Sequence, residues 1–355
     1  MKLLRWLLFP VSILYGCLMA FRNHLYDIGK KPSLEFDRVI ISVGNLSMGG
    51  TGKTPMVEYL IALLKDKYKL ATLSRGYGRK TQGYRMTSET DNAATVGDEP
   101  YQYFLKFGDE IKVCVGEERA LAIPSAILES EELAVFLLDD AYQHRKVVRD
   151  FNIMLSDYNH PFYQDFILPT GELREGRKGV QRADCVIITK CPKDLSDSEK
   201  GDINASVRHY GGNKTVFFSH IKYGQCLPVL KNKRVTTSSI DQVIMVTSIA
   251  DNQTFKSEVE RQYTILQEFV FEDHHRFTAK DLDRILEYYL SLEKSGSGVS
   301  VMTTEKDMVR LLTVKEHAVF DALDFYYIPI QFEIDRPERF QELLFKVIEE
   351  KENLH

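Results

Sequence analysis

Short apolar runs alternate along the chain with stretches in which apolar residues recur every three or four positions. The runs predict β-strands, and the spaced positions predict amphipathic helices. This alternation is typical of an α/β fold with a mostly parallel sheet flanked by helices. The predicted strands cover residues 39–43, 70–73, 111–115, 134–138, 152–155, 185–189 and 215–220. Helices are predicted near residues 53–65, 99–105, 117–128 and 196–209.

The alternation breaks between residues 221 and 241, where Gly224, Pro228 and a polar, basic run replace the apolar pattern. We interpret residues 223–241 as a linker or ribbon between two domains. A second α/β series follows, with strands predicted at residues 243–246, 265–269, 299–302 and 325–328 and helices at residues 254–262, 282–292 and 337–350. The sequence therefore predicts a larger core domain over residues 26–222 and a second, smaller α/β domain over residues 242–355.

The N-terminus has a different pattern, because residues 6–21 carry no charged side chain and follow Lys2 and Arg5. This stretch is shorter than the roughly 20 apolar residues of a membrane-spanning helix. It fits a membrane-surface anchor, in which Trp6 and Tyr15 suit the interface, but also a buried core helix or a cleaved signal peptide. We predict that residues 1–25 form a membrane-associated helix.

Composition excludes some classes of function. The chain has 355 residues and a formal net charge of −5, so the protein as a whole is not expected to bind nucleic acid. An acidic substrate would need a local basic patch. The five cysteines form no disulfide framework or zinc spacing, which fits a reducing compartment.

A glycine-rich loop follows the first predicted strand. Backbone N–H groups at a loop-to-helix junction can cradle phosphates, a lysine can neutralise them, and a threonine hydroxyl can ligate Mg²⁺. Residues 47–54 supply these groups in the order Ser47, Met48, Gly49, Gly50, Thr51, Gly52, Lys53 and Thr54. Ser47 stands where the phosphate-binding consensus has glycine. The loop predicts a P-loop NTPase-type fold that binds ATP.

Carboxylates follow a second apolar strand, residues 134–138, at Asp139 and Asp140. A carboxylate at the end of a strand in this fold class lies beside the phosphate-binding loop and can hold Mg²⁺. The alternative is a solvated Asp–Asp turn. We predict that this pair of carboxylates contributes to a Mg²⁺ site together with Thr54, and the sequence does not divide that role between Asp139 and Asp140.

Three further groups of polar residues leave alternatives open. Asp98, in a Gly-Asp-Glu-Pro run, could cap a helix or serve as a general base. The His274–His275 doublet, which follows Asp273, could be structural or could face a cleft. Two basic clusters could clamp phosphate or form a solvated surface, and they comprise Arg75, Arg79, Lys80, Arg174, Arg177, Lys178 and Arg182.

Taken together, these segments resemble the tetraacyldisaccharide 4′-kinase family, the lipid A 4′-kinases of Gram-negative bacteria. The family's variant phosphate-binding loop also lacks the first glycine. The matching blocks occur in family order as N-L-S-M-G-G-T-G-K-T-P at 45–55, S-R-G-Y-G-R at 74–79, G-D-E-P at 97–100, D-D-A-Y-Q-H at 139–144, L-R-E at 173–175, D-H at 273–274 and T-E-K-D at 304–307. Ala141 departs from the family, which usually has glycine there.

The resemblance implies transfer of the γ-phosphate of ATP to the 4′-hydroxyl of a tetraacyl disaccharide 1-phosphate, giving lipid IVA. It implies a catalytic carboxylate–histidine pair at Asp98 and His274, and Mg²⁺ ligands at Asp139 and Glu175. Substrate contacts map onto residues Arg75, His144 and Arg174. It also implies work at the cytoplasmic face of the bacterial inner membrane, with the acylated lipid and the membrane surface as partners and no obligate protein partner.

Two other functions remain open. A membrane-associated P-loop ATPase that acts as a switch would use the same loop but would have no lipid acceptor. A soluble kinase for a small metabolite would not need the apolar N-terminus. The ATPase switch does not account for the Asp98, Asp273–His274 and Arg174–Glu175 blocks.

Overall fold

Seven strands of the larger of two sheets lie in runs that the apolar pattern predicts, whereas its strands at residues 85–86 and 330–334 were not predicted. The computed structural model describes residues 6–230, 240–292 and 298–353, and in this part of the chain the larger sheet has nine strands. Their order is β14-β8-β7-β6-β1-β5-β2-β4-β3. The strands are β1 (Val39–Asn45), β2 (Leu70–Ser74), β3 (Arg85–Met86), β4 (Lys112–Val115), β5 (Val135–Asp139), β6 (Phe151–Asp157), β7 (Cys185–Thr189), β8 (Thr215–Tyr223) and β14 (Ile330–Ile334).

The centre of this sheet is parallel. β1 pairs in parallel with β5 on one side and β6 on the other, and all seven of its residues are buried. Burial on both faces gives a parallel strand a continuous apolar run, which is why the sequence predicted these strands well. The flanking helices are α1 (Phe9–Asp27), α2 (Lys53–Leu64), α3 (Ala93–Val96), α4 (Asp98–Phe107), α5 (Arg119–Glu129) and α6 (Asp197–Gly211). The predicted mostly parallel α/β fold is confirmed.

A smaller sheet has the strand order β11-β10-β12-β13-β9. Its strands are β9 (Leu227–Pro228), β10 (Gln242–Thr247), β11 (Thr264–Val270), β12 (Val299–Thr304) and β13 (Phe325–Ile328). Its helices are α7 (Gln253–Gln262), α8 (Ala279–Ser291), α9 (Glu305–Leu311) and α10 (Val319–Ala322). β9 comes from the predicted linker and pairs antiparallel with β13, so part of that segment belongs to the sheet. The rest of the linker, residues 231–239, lies outside the described residues.

The C-terminal end of the chain differs from its predicted place in the smaller domain. Strand β14 pairs antiparallel with β8, at the edge of the larger sheet. Helix α11 (Pro337–Glu352) buries Phe340, Leu344 and Ile348 in the core beneath β1. The chain therefore returns to the larger domain after β13. Apolar periodicity predicts that a segment is a strand or helix, but it does not say which sheet the segment joins.

Helices α4 and α9 connect the two domains. Lys106 of α4 pairs with Glu305 of α9 at 2.7 Å and with Glu58 of α2 at 2.6 Å. Tyr101 and Leu105 of α4 also pack against the core of the smaller domain. Because α4 is tied to both domains, residues at its ends are placed at their boundary.

Candidate active site

The loop between β1 and α2 has the geometry of a phosphate cradle. Gly49 and Gly52 adopt φ values of +98° and +80°, which residues with a Cβ atom rarely adopt. Gly52 is the N-cap residue of α2 and has no side chain, so no side-chain hydrogen bond caps the first N–H groups of this helix. A Cβ atom built on Gly49 or Gly50 would meet nothing within 4 Å. The loop can therefore admit an anion at the helix N-terminus.

Neighbouring segments hold this loop in place. Thr51 accepts a hydrogen bond on its hydroxyl from the Asn45 amide at 2.9 Å, and its carbonyl accepts one from the Thr189 hydroxyl at 3.0 Å. Ser47 forms an antiparallel bridge with Leu173. The position that departs from the glycine consensus is thus extended backbone rather than a turn. These contacts fix the loop to the segments on both sides of it.

Two cations converge on Asp140 at the end of β5. Lys53 lies 3.5 Å from its carboxylate, and Arg174 donates to it at 3.0 Å. Burial works to raise the pKa of Asp140, but the charges of Lys53 and Arg174 outweigh it and lower that pKa. The ionised carboxylate holds both cations at the mouth of the phosphate cradle.

Asp139 has a different environment one residue earlier. Its Oδ2 atom accepts a hydrogen bond from the Tyr103 hydroxyl at 3.1 Å, whereas its buried Oδ1 atom has no hydrogen-bond partner. Burial, with the adjacent charge of Asp140, raises the pKa of Asp139 to about 6. A buried carboxylate oxygen without a partner fits a divalent cation, which would stabilise its charge.

The surroundings of Asp139 fit Mg²⁺ rather than an all-protein metal site. Among the described residues, no group of three or more His, Cys, Asp or Glu side chains could hold a metal ion. Mg²⁺ is commonly held by one or two carboxylates, with phosphates and water completing its shell. Thr54, at the start of α2, would be the hydroxyl ligand in such a site.

Glu175 lies on the other side of the loop. Its carboxylate accepts hydrogen bonds from Asn23 at 2.6 Å, Gln143 at 3.0 Å and Arg182 at 2.6 Å, and it is 1% exposed. These contacts tie helix α1 to the site. The metal-binding role of Glu175 stays a prediction, since in this arrangement its oxygens already serve three donors.

The predicted carboxylate–histidine pair forms across the domain boundary. Asp98 is the first residue of α4, but it makes no capping hydrogen bond, so the capping alternative is not observed. Its Oδ2 atom lies 3.7 Å from Nδ1 of His274. His274 adopts a φ of +61°, a strained value for a residue other than glycine. The two domains thus bring together residues far apart in sequence.

The second histidine of the doublet has another role. His275 stacks on Phe271 with ring centroids 4.6 Å apart, and its Nε2 atom lies 2.9 Å from the Asp281 carboxylate. These contacts anchor the start of α8, where Asp281 completes a capping box. His275 is structural, whereas His274 faces Asp98.

The predicted substrate residues gather near Asp140. His144 is partly buried, and burial, with the charges of Arg119 and Arg75, lowers its pKa to about 4. The imidazole is therefore neutral at physiological pH. Arg75 is exposed, and Arg174 has a buried Nε atom without a partner. One arginine of each sequence cluster lies here, because Arg75 acts on His144 and Arg174 pairs with Asp140, so phosphate groups could bind at this face. Other members of the clusters are engaged elsewhere: Arg79 pairs with Glu117, and Arg177 donates to Tyr210.

Two residues of the site were missed by sequence reasoning. Arg310 of α9 donates from Nε to the Asp98 carboxylate at 2.7 Å, and its Nη2 lies 2.9 Å from Nδ1 of His274. Tyr103 links Asp139 to α4, the helix that starts at Asp98. Five residues span roughly 7.5 Å along a helix, so α4 joins the dyad to the strand end over a short, rigid distance. The sequence feature that could have pointed to Arg310 is the charged run Glu-Lys-Asp-Met-Val-Arg-Leu of α9. In the structure every residue of this run except Lys306 is buried.

The fold and site define a P-loop protein that carries a carboxylate–histidine pair beside its nucleotide cradle, which is the arrangement of a phosphotransferase. Residues 4–349 match the family model described as Tetraacyldisaccharide-1-P 4'-kinase. The chain belongs to this family.

Comparison with individual proteins supports this family membership. The chain is 40% identical over 357 residues to a tetraacyldisaccharide 4'-kinase of Flavobacterium johnsoniae, covering 100% of this chain and 99% of the relative. It is 39% identical over 341 residues to one from Bacteroides fragilis, covering 94% and 89% of the two chains. A crystal structure of LpxK from Aquifex aeolicus in complex with ATP superposes with a TM-score of 0.75 at 29% identity, covering 97% of this chain and 99% of that chain.

Proposed function

We propose that the protein transfers the γ-phosphate of ATP to the 4′-hydroxyl of a tetraacyl disaccharide 1-phosphate, forming lipid IVA. The observation that carries this proposal is the junction made by α4. Its first residue, Asp98, faces His274, while Tyr103 of the same helix contacts Asp139 beside the phosphate cradle. Family membership supplies the acceptor, and the junction supplies a place where an acceptor hydroxyl can meet a bound nucleotide.

The residues have separate tasks in this proposal. Phosphoryl transfer depends mainly on positioning and on neutralising the phosphate charge. The loop amides and Lys53 bind the β- and γ-phosphates, and Mg²⁺, held through Thr54 and Asp139, supplies further neutralisation when bound. Asp98 accepts the proton of the sugar hydroxyl, and His274 orients and stabilises that carboxylate. Water must be excluded from the closed site, since it would compete as acceptor.

The basic face near Asp140 is proposed to hold the phosphorylated disaccharide. Arg174 and Arg75 provide guanidinium donors, which suit phosphate and sugar oxygens. His144, neutral because its pKa is about 4, can donate or accept a hydrogen bond without adding charge. These three residues would set the orientation of the sugar rather than take part in proton transfer.

Helix α1 is proposed to meet the membrane surface. One side of it docks on the site: Ser12 bonds to Thr170 at 2.7 Å, and the Tyr15 hydroxyl donates to the Arg174 carbonyl at 3.0 Å. The opposite side exposes an apolar stripe at helical spacing, formed by Val11, Leu14, Leu18 and Phe21, each more than half exposed. No helix within the described ranges is long and apolar enough to cross a bilayer.

A helix with this pattern can lie in the interface and bring the site to an acylated substrate. ATP supply places that membrane surface on the cytoplasmic side, so we assign the protein to the cytoplasmic face of the bacterial inner membrane.

The first test follows labelled γ-phosphate from ATP to detergent-solubilised tetraacyl disaccharide 1-phosphate, with wild-type protein and Asp98→Ala. We expect lipid product with the wild type and a loss of about 10²-fold or more in the variant, the scale of general-base catalysis. Product without an effect of the variant would keep the kinase and reject Asp98 as base. ATP hydrolysis without lipid product would favour the ATPase switch.

The membrane role has its own test, which is binding to vesicles of anionic phospholipid. Leu14→Asp combined with Leu18→Asp should weaken binding by at least about tenfold, since each buried leucine contributes roughly 1.5–3 kcal/mol. Leu128→Asp is the matched control, because Leu128 is 82% exposed on α5. Equal binding by the control and the double variant would rule out the stripe as the membrane contact.

A further inference from the structure

Arg310 is a buried cation that belongs to neither the nucleotide site nor the family motifs named above. It is 3% exposed, on α9 of the smaller domain. Its Nε atom donates to Oδ2 of Asp98 at 2.7 Å, and its Nη2 atom lies 2.9 Å from Nδ1 of His274. One guanidinium therefore contacts both members of the proposed dyad, one from each domain.

The third side of the guanidinium is held by its own domain. Nη1 donates to the Ser248 carbonyl at 3.0 Å, to the Ser248 hydroxyl at 2.8 Å and to the Asp307 carboxylate at 3.2 Å. Ser248 and Asp307 thus hold the Nη1 side of the guanidinium, and its Nε atom is left to contact Asp98. A planar group with five donors suits this task, whereas a single ammonium cannot contact all partners at once.

Asp307 gives a structural role to the Thr-Glu-Lys-Asp block, for which the sequence predicted none. Its carboxylate is fully buried and accepts hydrogen bonds from the Ser248 N–H at 2.9 Å, the Thr304 hydroxyl at 2.8 Å and the Ser248 hydroxyl. Thr304 is the N-cap of α9. The block therefore builds a rigid socket, and the occupant of that socket is Arg310.

We propose that Arg310 is a positioning residue for phosphoryl transfer, through which the smaller domain fixes Asp98 and His274 in their reacting arrangement. This inference rests on the proposed role of the Asp98–His274 pair. It assigns to the smaller domain a task beyond supplying His274, because the Arg310–Asp98 ion pair itself joins the two domains.

The arrangement also leaves a free oxygen on the base. Within the described part of the chain, the hydrogen bonds and ion pairs of Asp98 fall on Oδ2, so Oδ1 can accept the hydroxyl proton. Burial works to raise the pKa of Asp98, but the nearby His274 and the charge of Arg310 outweigh it and lower that pKa. Lys306 also faces this group, near Glu99 and Asp273.

A second ion pair between the same helices provides a matched control. Lys106 of α4 pairs with Glu305 of α9 at 2.7 Å, and Glu305 is 3% exposed, as buried as Arg310. Glu305→Gln removes one interdomain charge pair but leaves the Asp98 surroundings intact. A role limited to holding the domains together would make Glu305→Gln and Arg310→Met behave alike.

The experiment measures kcat and KM across pH with saturating ATP for the wild type, Arg310→Met, Arg310→Lys, Glu305→Gln and Asp98→Asn. For Arg310→Met we expect kcat to fall about 10²-fold, the cost of misplacing a reacting group, while ATP binding stays unchanged. The acidic limb of the pH profile should move to higher pH, because the cation that lowers the Asp98 pKa is gone. Glu305→Gln should keep the wild-type limb.

Thermal unfolding in the presence of ATP shows whether Arg310→Met is folded. If it is not, Arg310→Lys is the variant that tests the proposal. It keeps the charge but not the fork, so we expect the wild-type limb with kcat reduced about tenfold. Wild-type kcat in Arg310→Lys, or an unmoved limb in folded Arg310→Met, would overturn the inference. If Asp98→Asn retains full activity, the proposed dyad fails instead, which separates the two claims.

Discussion

The two halves of the proposed active site are built in different ways. The phosphate cradle lies within one loop, and residues 47–54 supply nearly all of it. The proposed dyad joins Asp98 of the larger domain to His274 of the smaller one, and Arg310 contacts both. A site encoded in one loop survives small shifts between domains, whereas a site shared between domains is sensitive to them. Nucleotide binding and phosphoryl transfer should therefore be separable by mutation.

The largest effect should come from the cradle. Lys53→Met removes the cation that faces the β- and γ-phosphates, and we expect phosphoryl transfer to fall by about 10³-fold, the upper end for loss of one charge-stabilising group. ATP affinity, measured by calorimetry, should fall with it. If phosphoryl transfer were retained while ATP binding weakened, Lys53 would act only in binding, and the expected difference between the cradle and the dyad would not hold.

A change in the dyad should lower phosphoryl transfer without weakening ATP binding. His274→Ala should lower kcat by about 10²-fold, because the Asp98 base loses its partner, with ATP affinity unchanged. His275→Ala is the matched control one residue away, and it should reduce thermal stability without changing kcat. If His274→Ala turned over at the wild-type rate, the division into two halves would not hold.

A smaller effect should come from the link between the halves. Tyr103→Phe removes only the hydroxyl that donates to Asp139 at 3.1 Å. Loss of such a bond costs about 1–2 kcal/mol, so kcat should fall roughly tenfold, with a higher Mg²⁺ concentration needed for half-maximal activity. An unchanged Mg²⁺ dependence would show that α4 positions the dyad independently of the strand end.

The smallest effect concerns stability at the domain boundary. Glu58 shares Lys106 with Glu305, and burial raises the pKa of Glu58 to about 7. A carboxyl whose pKa is raised in the folded state costs stability as pH rises from its unfolded pKa toward the folded one. Glu58→Gln leaves one carboxylate for one ammonium, so it should gain roughly 1–3 kcal/mol relative to wild type at pH 8 compared with pH 5. Denaturant unfolding at both pH values tests this, and an equal difference at both would contradict it.

Much of the fold could be predicted because parallel strands that are buried on both faces leave continuous apolar runs. The end of the chain could not be placed in this way. Strand β14 follows β13 after a single residue, yet it joins the other sheet, and its pattern carries no mark of its partner. The structure places β14 beside β8 and the following helix, α11, in the core of the same domain.

The site divides along the same line. Local sequence predicted the cradle, since a strand, a glycine loop and a helix start must be adjacent in the chain. The family blocks then pointed to Asp98 and His274, but not to what holds them. The sequence does not distinguish the two histidines of the doublet. Only the contacts of His275 with Phe271 and Asp281 separate their roles.

The sequence by itself determined the α/β class, the phosphate cradle and the family, because each depends on residues close together in the chain. The tertiary structure decided that β14 and α11 belong to the larger domain, that Glu175 contacts helix α1, and that Arg310 joins Asp98 to His274. These are contacts between residues distant in sequence. They are made by strand pairing, by the packing of α11 in the larger core and by hydrogen bonds of buried charges, which no local pattern of apolar and polar residues records.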